Sequence, residues 1–162
     1  MMRIELATKA RLDGILEVYA SARAYMREHG NLYQWVGGYP SRELLEKDIE
    51  LGQLYLCTED GEICGVFCYF EGEDPTYREI FDGAWLNDAP YGVIHRIAVS
   101  RHCRGVASFC FSYCFSRCQN LKIDTHADNF PMQRALTKNG FVHCGTIYLE
   151  NGDPRFAYQR CE

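Results

Sequence analysis

Residues 91–125 leave little freedom to any fold that contains them. Tyr91–Val99 reads as a long apolar strand, and the basic turn Ser100-Arg101-His102-Cys103-Arg104-Gly105 follows it. Val106, Phe109, Cys110, Tyr113 and Cys114 then recur at i, i+3, i+4, i+7 and i+8, an amphipathic helix ending near Cys118. Leu121–Thr125 is a short strand. Strand, helix and strand joined this closely form a right-handed crossover with the two strands parallel.

Elsewhere the chain calls for antiparallel pairing. Leu54–Thr58 and Ile63–Phe70 flank Glu59-Asp60-Gly61-Glu62, a hairpin signal because Asp-Gly tolerates positive φ. Phe141–Glu150 and Arg155–Gln159 form a second hairpin across Asn151-Gly152. Arg3–Ala7 opens the chain as a strand, and Thr8 caps a helix carrying Leu12, Ile15, Leu16, Tyr19 and Met26 as far as Gly30. Asn31–Pro40 is a loop rich in aromatics and glycine; Ser41 caps a second helix, with Leu44, Leu45 and Ile49, that Gly52 ends. Glu71–Pro90 is acidic, aromatic and irregular. Asp128 or Asn129 caps another helix, with Pro131 in its first turn and Gly140 at its stop. The expected order is β-α-α-β-β-β-α-β-α-β-β. That order describes an α/β fold with a mixed sheet.

With 162 residues, 47% of them hydrophobic, the chain suits one domain spanning 1–162. No apolar run approaches the roughly 18 residues of a membrane span, and the opening MMRIELATKARLDG has no signal-peptide core. A cytoplasmic location and no membrane partner are therefore expected. A net charge of −5 argues against a nucleic-acid partner. Nine cysteines in a chain with no export signal read as small buried hydrophobes rather than a disulfide framework. Cys110, Cys114 and Cys118 lie four apart on one helix face, but no further ligand stands at metal-site spacing, so no metal is expected.

The lone Gly105 sits where a strand runs straight into a helix. The helix's unpaired N–H groups and its dipole make an anion site there, and Arg104 adds charge. Neither GxxxxGK[ST] nor GxGxxG is present, which disfavours nucleoside triphosphates and dinucleotides. A glycine needed only for the turn would look the same.

The element order and the stretches IAVSRHCRGVASF and IDTHADNFPMQRALTKNGF together resemble the GCN5-related N-acetyltransferase family over essentially the whole chain. The family's phosphate signature, Gln/Arg-x-x-Gly-x-Gly/Ala, reads here His102-Cys103-Arg104-Gly105-Val106-Ala107. The second stretch has the family's Asn at the helix start and Gly-Phe at its end. The resemblance implies an acyl-CoA N-acyltransferase fold: about seven twisted, mostly antiparallel strands flanked by four helices. It implies direct transfer from acetyl-coenzyme A to the primary amine of a small molecule or peptide.

By the same resemblance, backbone N–H groups of Arg104–Ser108 hold the pyrophosphate, helped by Arg104, His102 and, more remotely, Arg101. Backbone groups of Ile97, Ala98 and Val99 meet the pantetheine arm and the thioester carbonyl, with Asn129 and Met132 beside the arm. An alkyl ammonium must lose a proton before it attacks, and the candidate bases are His95, Glu71 and His126. His95 stands two residues before Ile97, hence on the same strand face by the period of two. Asp124 and His126 also suit bracing of the fifth strand. Many family members carry a tyrosine a few residues before Gly-Phe as general acid; here that stretch is Ala135-Leu136-Thr137-Lys138. Tyr148 and Tyr113 are other phenols available for the role. Tyr33-Gln34-Trp35, Tyr77 and Trp85, with acidic neighbours, suit an ammonium acceptor, or equally cover core or a homodimer contact. Competing readings are a protein N-terminal acetyltransferase, a non-catalytic acyl-CoA-binding or sensing module, and an interaction domain without cofactor.

Overall fold

Asp60 and Gly61 take φ of 52° and 81°, so the chain reverses where the Asp-Gly pair predicts, between β2 (Leu54–Glu59) and β3 (Glu62–Glu71). This is seen in a computed structural model describing residues 1–162. The remaining strands are β1 (Met2–Leu6), β4 (Gly92–Val99), β5 (Asn120–Thr125), β6 (Val142–Tyr148) and β7 (Pro154–Cys161). Helices are α1 (Leu12–Glu28), α2 (Arg42–Glu50), α3 (Val106–Arg117) and α4 (Phe130–Lys138). Short 3-10 turns cover Lys9–Arg11 and Pro75–Tyr77. The element order is the expected one.

The seven strands form one sheet in the order β1-β2-β3-β4-β5-β7-β6. Only β4 and β5 are parallel, as the crossover through α3 demands. Helices α3 and α4 cover one face, where Phe111, Leu136, Ile94, Ile97 and Ile123 share a core. On the other face α1 and α2 cover the first half, around Ile15, Tyr19, Leu45 and Val66. The segment between β3 and β4 covers the second half, around Tyr77, Val93 and Ile147.

Local capping follows the sequence in two places. The Ser41 hydroxyl accepts from the Leu44 amide at 3.2 Å, and the Asn129 side chain accepts from the Met132 amide at 3.2 Å. Thr8 departs from expectation: its side chain makes no cap bond, because a 3-10 turn intervenes before α1. On α3 the fully buried set is Val106, Cys110, Phe111 and Cys114, so Phe111 takes a core position that the spacing assigned to Phe109 and Tyr113. Seven cysteines are free thiols, five of them buried, as their apolar reading predicts. The other two differ. Cys64 and Cys103 form a disulfide that ties the turn before α3 to β3.

Candidate functional site

β4 and β5 share only two register pairs, Gly92↔Leu121 and Val93↔Lys122. Past Val93 they diverge, so the β4 backbone beyond that point has no sheet partner on its β5 side. A cleft of about 600 Å³ fills the gap. It is walled by Ile94–Ile97 of β4 and Ile123–Thr125 of β5, and roofed by the α1–α2 loop and the β6–β7 turn.

Beyond the C-terminal end of β4 lies the strand-to-helix turn. Gly105 is the residue before α3, at φ 69°, and a Cβ built on it would meet nothing within 4 Å. That left-handed conformation suits glycine, and the open space before it lies at the first-turn N–H groups of α3. Arg104 is exposed and makes no hydrogen bond or ion pair with the chain, which leaves its guanidinium free for an anion. Arg101 is not so placed: it pairs with Glu28 at 3.0 Å and lies over the Tyr25 ring. The Ser108 hydroxyl accepts from Asn139 at 3.1 Å. Deeper in, Ile97, Asn129 and Met132 line the cleft. Asn129 also donates to Gln34 at 3.0 Å, docking the α1–α2 loop over the start of α4. The Thr125 hydroxyl is buried in the same wall with no hydrogen-bond partner. A buried unpaired hydroxyl is unfavourable in the free chain, and a ligand amide would satisfy it. An open anion turn followed by an unpaired strand edge and an orphan hydroxyl fits an extended pantetheine diphosphate. The residues to hold coenzyme A are thus present.

The β3–β4 register shifts between Val66 and Cys68, and Arg96 of β4 sits at φ 53°. This is a β-bulge: two β4 residues, Arg96 and Ile97, oppose the single Phe67 of β3. The extra residue breaks the period of two. Ile94 and Ile97 both face α3 and α4, while His95 and Arg96 both turn to the opposite face. His95 therefore does not share the face of Ile97, contrary to the alternation read from the sequence.

On that opposite face His95 Nε2 lies 2.6 Å from Asp74 Oδ2. A carboxylate only accepts, so Nε2 carries the hydrogen and Nδ1 keeps its lone pair. Burial works to raise the Asp74 carboxyl, but hydrogen bonds from His95 and Thr76 outweigh it and hold the group at about 2. His95 and Asp74 both line the cleft. Asp124 lines it too and accepts the Tyr77 hydroxyl at 2.6 Å; burial pushes its carboxyl up.

Glu71 is not brought to the cleft. It is exposed at the end of β3 and accepts from Tyr69 at 3.0 Å, on the face covered by α3. His126 Nδ1 accepts from the Asp128 amide at 2.9 Å, and its role is to shape the turn after β5. Tyr148 packs on Phe81, and Tyr113 on Tyr55 and Phe67, so neither phenol reaches the cleft. Tyr33, Gln34 and Trp35 do line it. Trp85 instead covers Tyr77 and the ammonium of Lys122.

Three cleft residues escaped sequence reasoning: Asp74, Thr125 and Arg155. For Asp74 a signal existed, because Asp before Pro75 starts a turn, and its carboxylate does cap Thr76. Nothing local marks the other two.

A family model described as "Acetyltransferase (GNAT) family" matches residues 15–141. A GNAT family acetyltransferase structure from Streptococcus agalactiae superimposes with a TM-score of 0.90 at 32% identity, covering 99% of this chain and 95% of that one. One from Bacillus cereus gives 0.66 at 24% identity, covering 100% and 98%. An aminoglycoside acetyltransferase in complex with coenzyme A and kanamycin gives 0.66 at 17% identity, covering 100% and 95%, and so shares the fold. No curated protein sequence matches the chain.

Proposed function

This chain belongs to the GNAT acetyltransferase family, whose members carry out acyl-CoA-dependent N-acetyl transfer, and on that premise we propose that it acetylates the primary amine of a small molecule. The observation that carries this reading is a cleft along the unpaired edge of β4 that holds the His95–Asp74 pair. The open Gly105 turn follows the same strand, between the end of β4 and the start of α3. An interaction domain would have no use for that arrangement.

Acetyl-coenzyme A supplies an activated acyl carbonyl when it is bound. The first-turn amides of α3 and the Arg104 side chain would hold its diphosphate. Main-chain N–H groups near Ile97, freed by the divergence of β4 from β5, would orient the arm and donate to the acyl carbonyl oxygen; one such donor contributes about 3 kcal/mol. His95 takes the amine's proton on Nδ1 while Asp74 holds the ring, a contribution of roughly 10²–10⁴-fold. Overall an ammonium acceptor and a thioester become an amide, a free thiol and one proton. A thiol of ordinary pKa, about 8.5, is a tolerable leaving group without a dedicated phenol on α4. The carboxylates of Asp74, Asp124 and Glu150 favour a cationic acceptor in the cleft.

Thiol release from acetyl-coenzyme A, measured against a panel of amines and peptides, tests the reading. Acceptor-dependent release with small amines is the expected result. Tight coenzyme A binding with no release above background for any acceptor would make the protein a sensing module instead.

A further inference from the structure

The acceptor half of the cleft holds one buried cation that the chain leaves open. Arg155 is the second residue of β7, just after the Asn151-Gly152 turn; it is 7% exposed and lines the cleft. Its Nη1 donates to the Pro154 carbonyl at 2.8 Å, and no carboxylate lies within 4.0 Å of the guanidinium. Asp124 and Asp153 act on it only from farther away. Arg96, the other arginine in the cleft wall, shows what a satisfied one looks like. Both Asp48 oxygens lie on its Nη2 at 2.8 and 3.0 Å, and the Tyr39 hydroxyl accepts from Nη1 at 3.2 Å.

A guanidinium carries five N–H donors in a planar fork matched to a two-oxygen anion. Only one of those donors is bonded within the chain, and the others stay accessible at the cleft, where a ligand carboxylate can take them in charge-assisted pairs. The remaining charges of the cleft, Asp74, Asp124, Glu150 and Asp153, are acidic and suit an ammonium. One end therefore asks for an anion and the rest for a cation.

We propose that Arg155 receives the carboxylate of the acceptor, which makes that acceptor a small zwitterionic amino acid rather than a peptide N-terminus or a polycationic amine. The chemistry at the amine rests on the acetyl-transfer reading above; recognition of the carboxylate stands apart from it. A peptide N-terminus offers no carboxylate beside its amine, and so leaves the fork empty.

The test compares L-amino acids with their matched amides and decarboxylated amines in the thiol-release assay. Alongside it, calorimetry on protein saturated with coenzyme A compares N-acetyl amino acids with N-acetyl amino amides. The acids are expected to win by about a hundredfold in kcat/KM and in affinity, because a site built for charged hydrogen bonds rejects analogues lacking them. Arg155→Gln should bring that ratio close to one, and Arg155→Lys, which keeps the charge without the fork, should retain part of it. Circular dichroism and coenzyme A binding check that the variants fold. Equal use of acids and amides by the unmodified protein would overturn the proposal, as would a folded Arg155→Gln that keeps the preference. Acid-selective binding without thiol release would sink the acetyl-transfer reading and support the carboxylate site. Thiol release indifferent to the carboxylate would do the reverse.

Discussion

In the proposed mechanism His95 works from the orientation that Asp74 imposes, since the 2.6 Å contact fixes which nitrogen of the neutral ring keeps its lone pair. His95→Ala should lower kcat about a hundredfold, with coenzyme A affinity unchanged by calorimetry. Asp74→Asn tests positioning rather than contact. It should lower kcat while leaving coenzyme A binding intact, whereas a merely structural role would lower both through loss of fold. Arg96 poses a stability question at the same scale. Its side chain is 13% exposed and its partner Asp48 5% exposed, so the pair is buried. Breaking it with Asp48→Ala strands a charge and should destabilise the fold by about 3–5 kcal/mol in urea unfolding. Tyr19, whose hydroxyl donates to the Arg96 carbonyl at 2.6 Å, holds the same bulge from α1.

At the level of elements, the site is made by two departures from regular structure: the turn into α3 and the parting of β4 from β5. Gly105→Val places a β-branched residue at φ 69° and projects its methyls into the open anion space. Coenzyme A affinity should fall tenfold or more, while the stability measured by thermal unfolding falls only by the cost of local strain, about 1–3 kcal/mol. Undiminished affinity would remove the diphosphate assignment. Thr125→Val is the complementary case. It replaces an unpaired buried hydroxyl by an apolar isostere, so thermal stability should hold or rise, by about 1 kcal/mol. Affinity for coenzyme A should drop severalfold, and calorimetry and melting curves on one sample would separate the two effects.

For the molecule as a whole, acid stability depends on carboxyls that pull in opposite directions. Asp74 is held at about 2, below the roughly 3.9 of an unfolded aspartate, so its stabilisation is complete above about pH 4. It is lost as the pH falls toward 2. Asp124, raised chiefly by burial, works the other way and gains from protonation. Urea midpoints measured from pH 5 to 2 should therefore fall less steeply in Asp74→Asn than in the unmodified protein. The element order, the Asp60-Gly61 reversal, the Ser41 and Asn129 caps and the Gly105 turn were all legible in the sequence, because each is set by residues within one turn or one strand of each other. The sequence by itself thus determined a mixed sheet with one parallel crossover and a glycine turn at its end. Only the tertiary structure decided that β7 inserts between β5 and β6, that a bulge at Arg96 swings His95 away from Ile97, and that Glu71 lies on the wrong face. It alone joined Asp74 to His95 across 21 residues and left Arg155 buried without a carboxylate. Such contacts are set by strand register and packing between distant segments, and no local period carries that information.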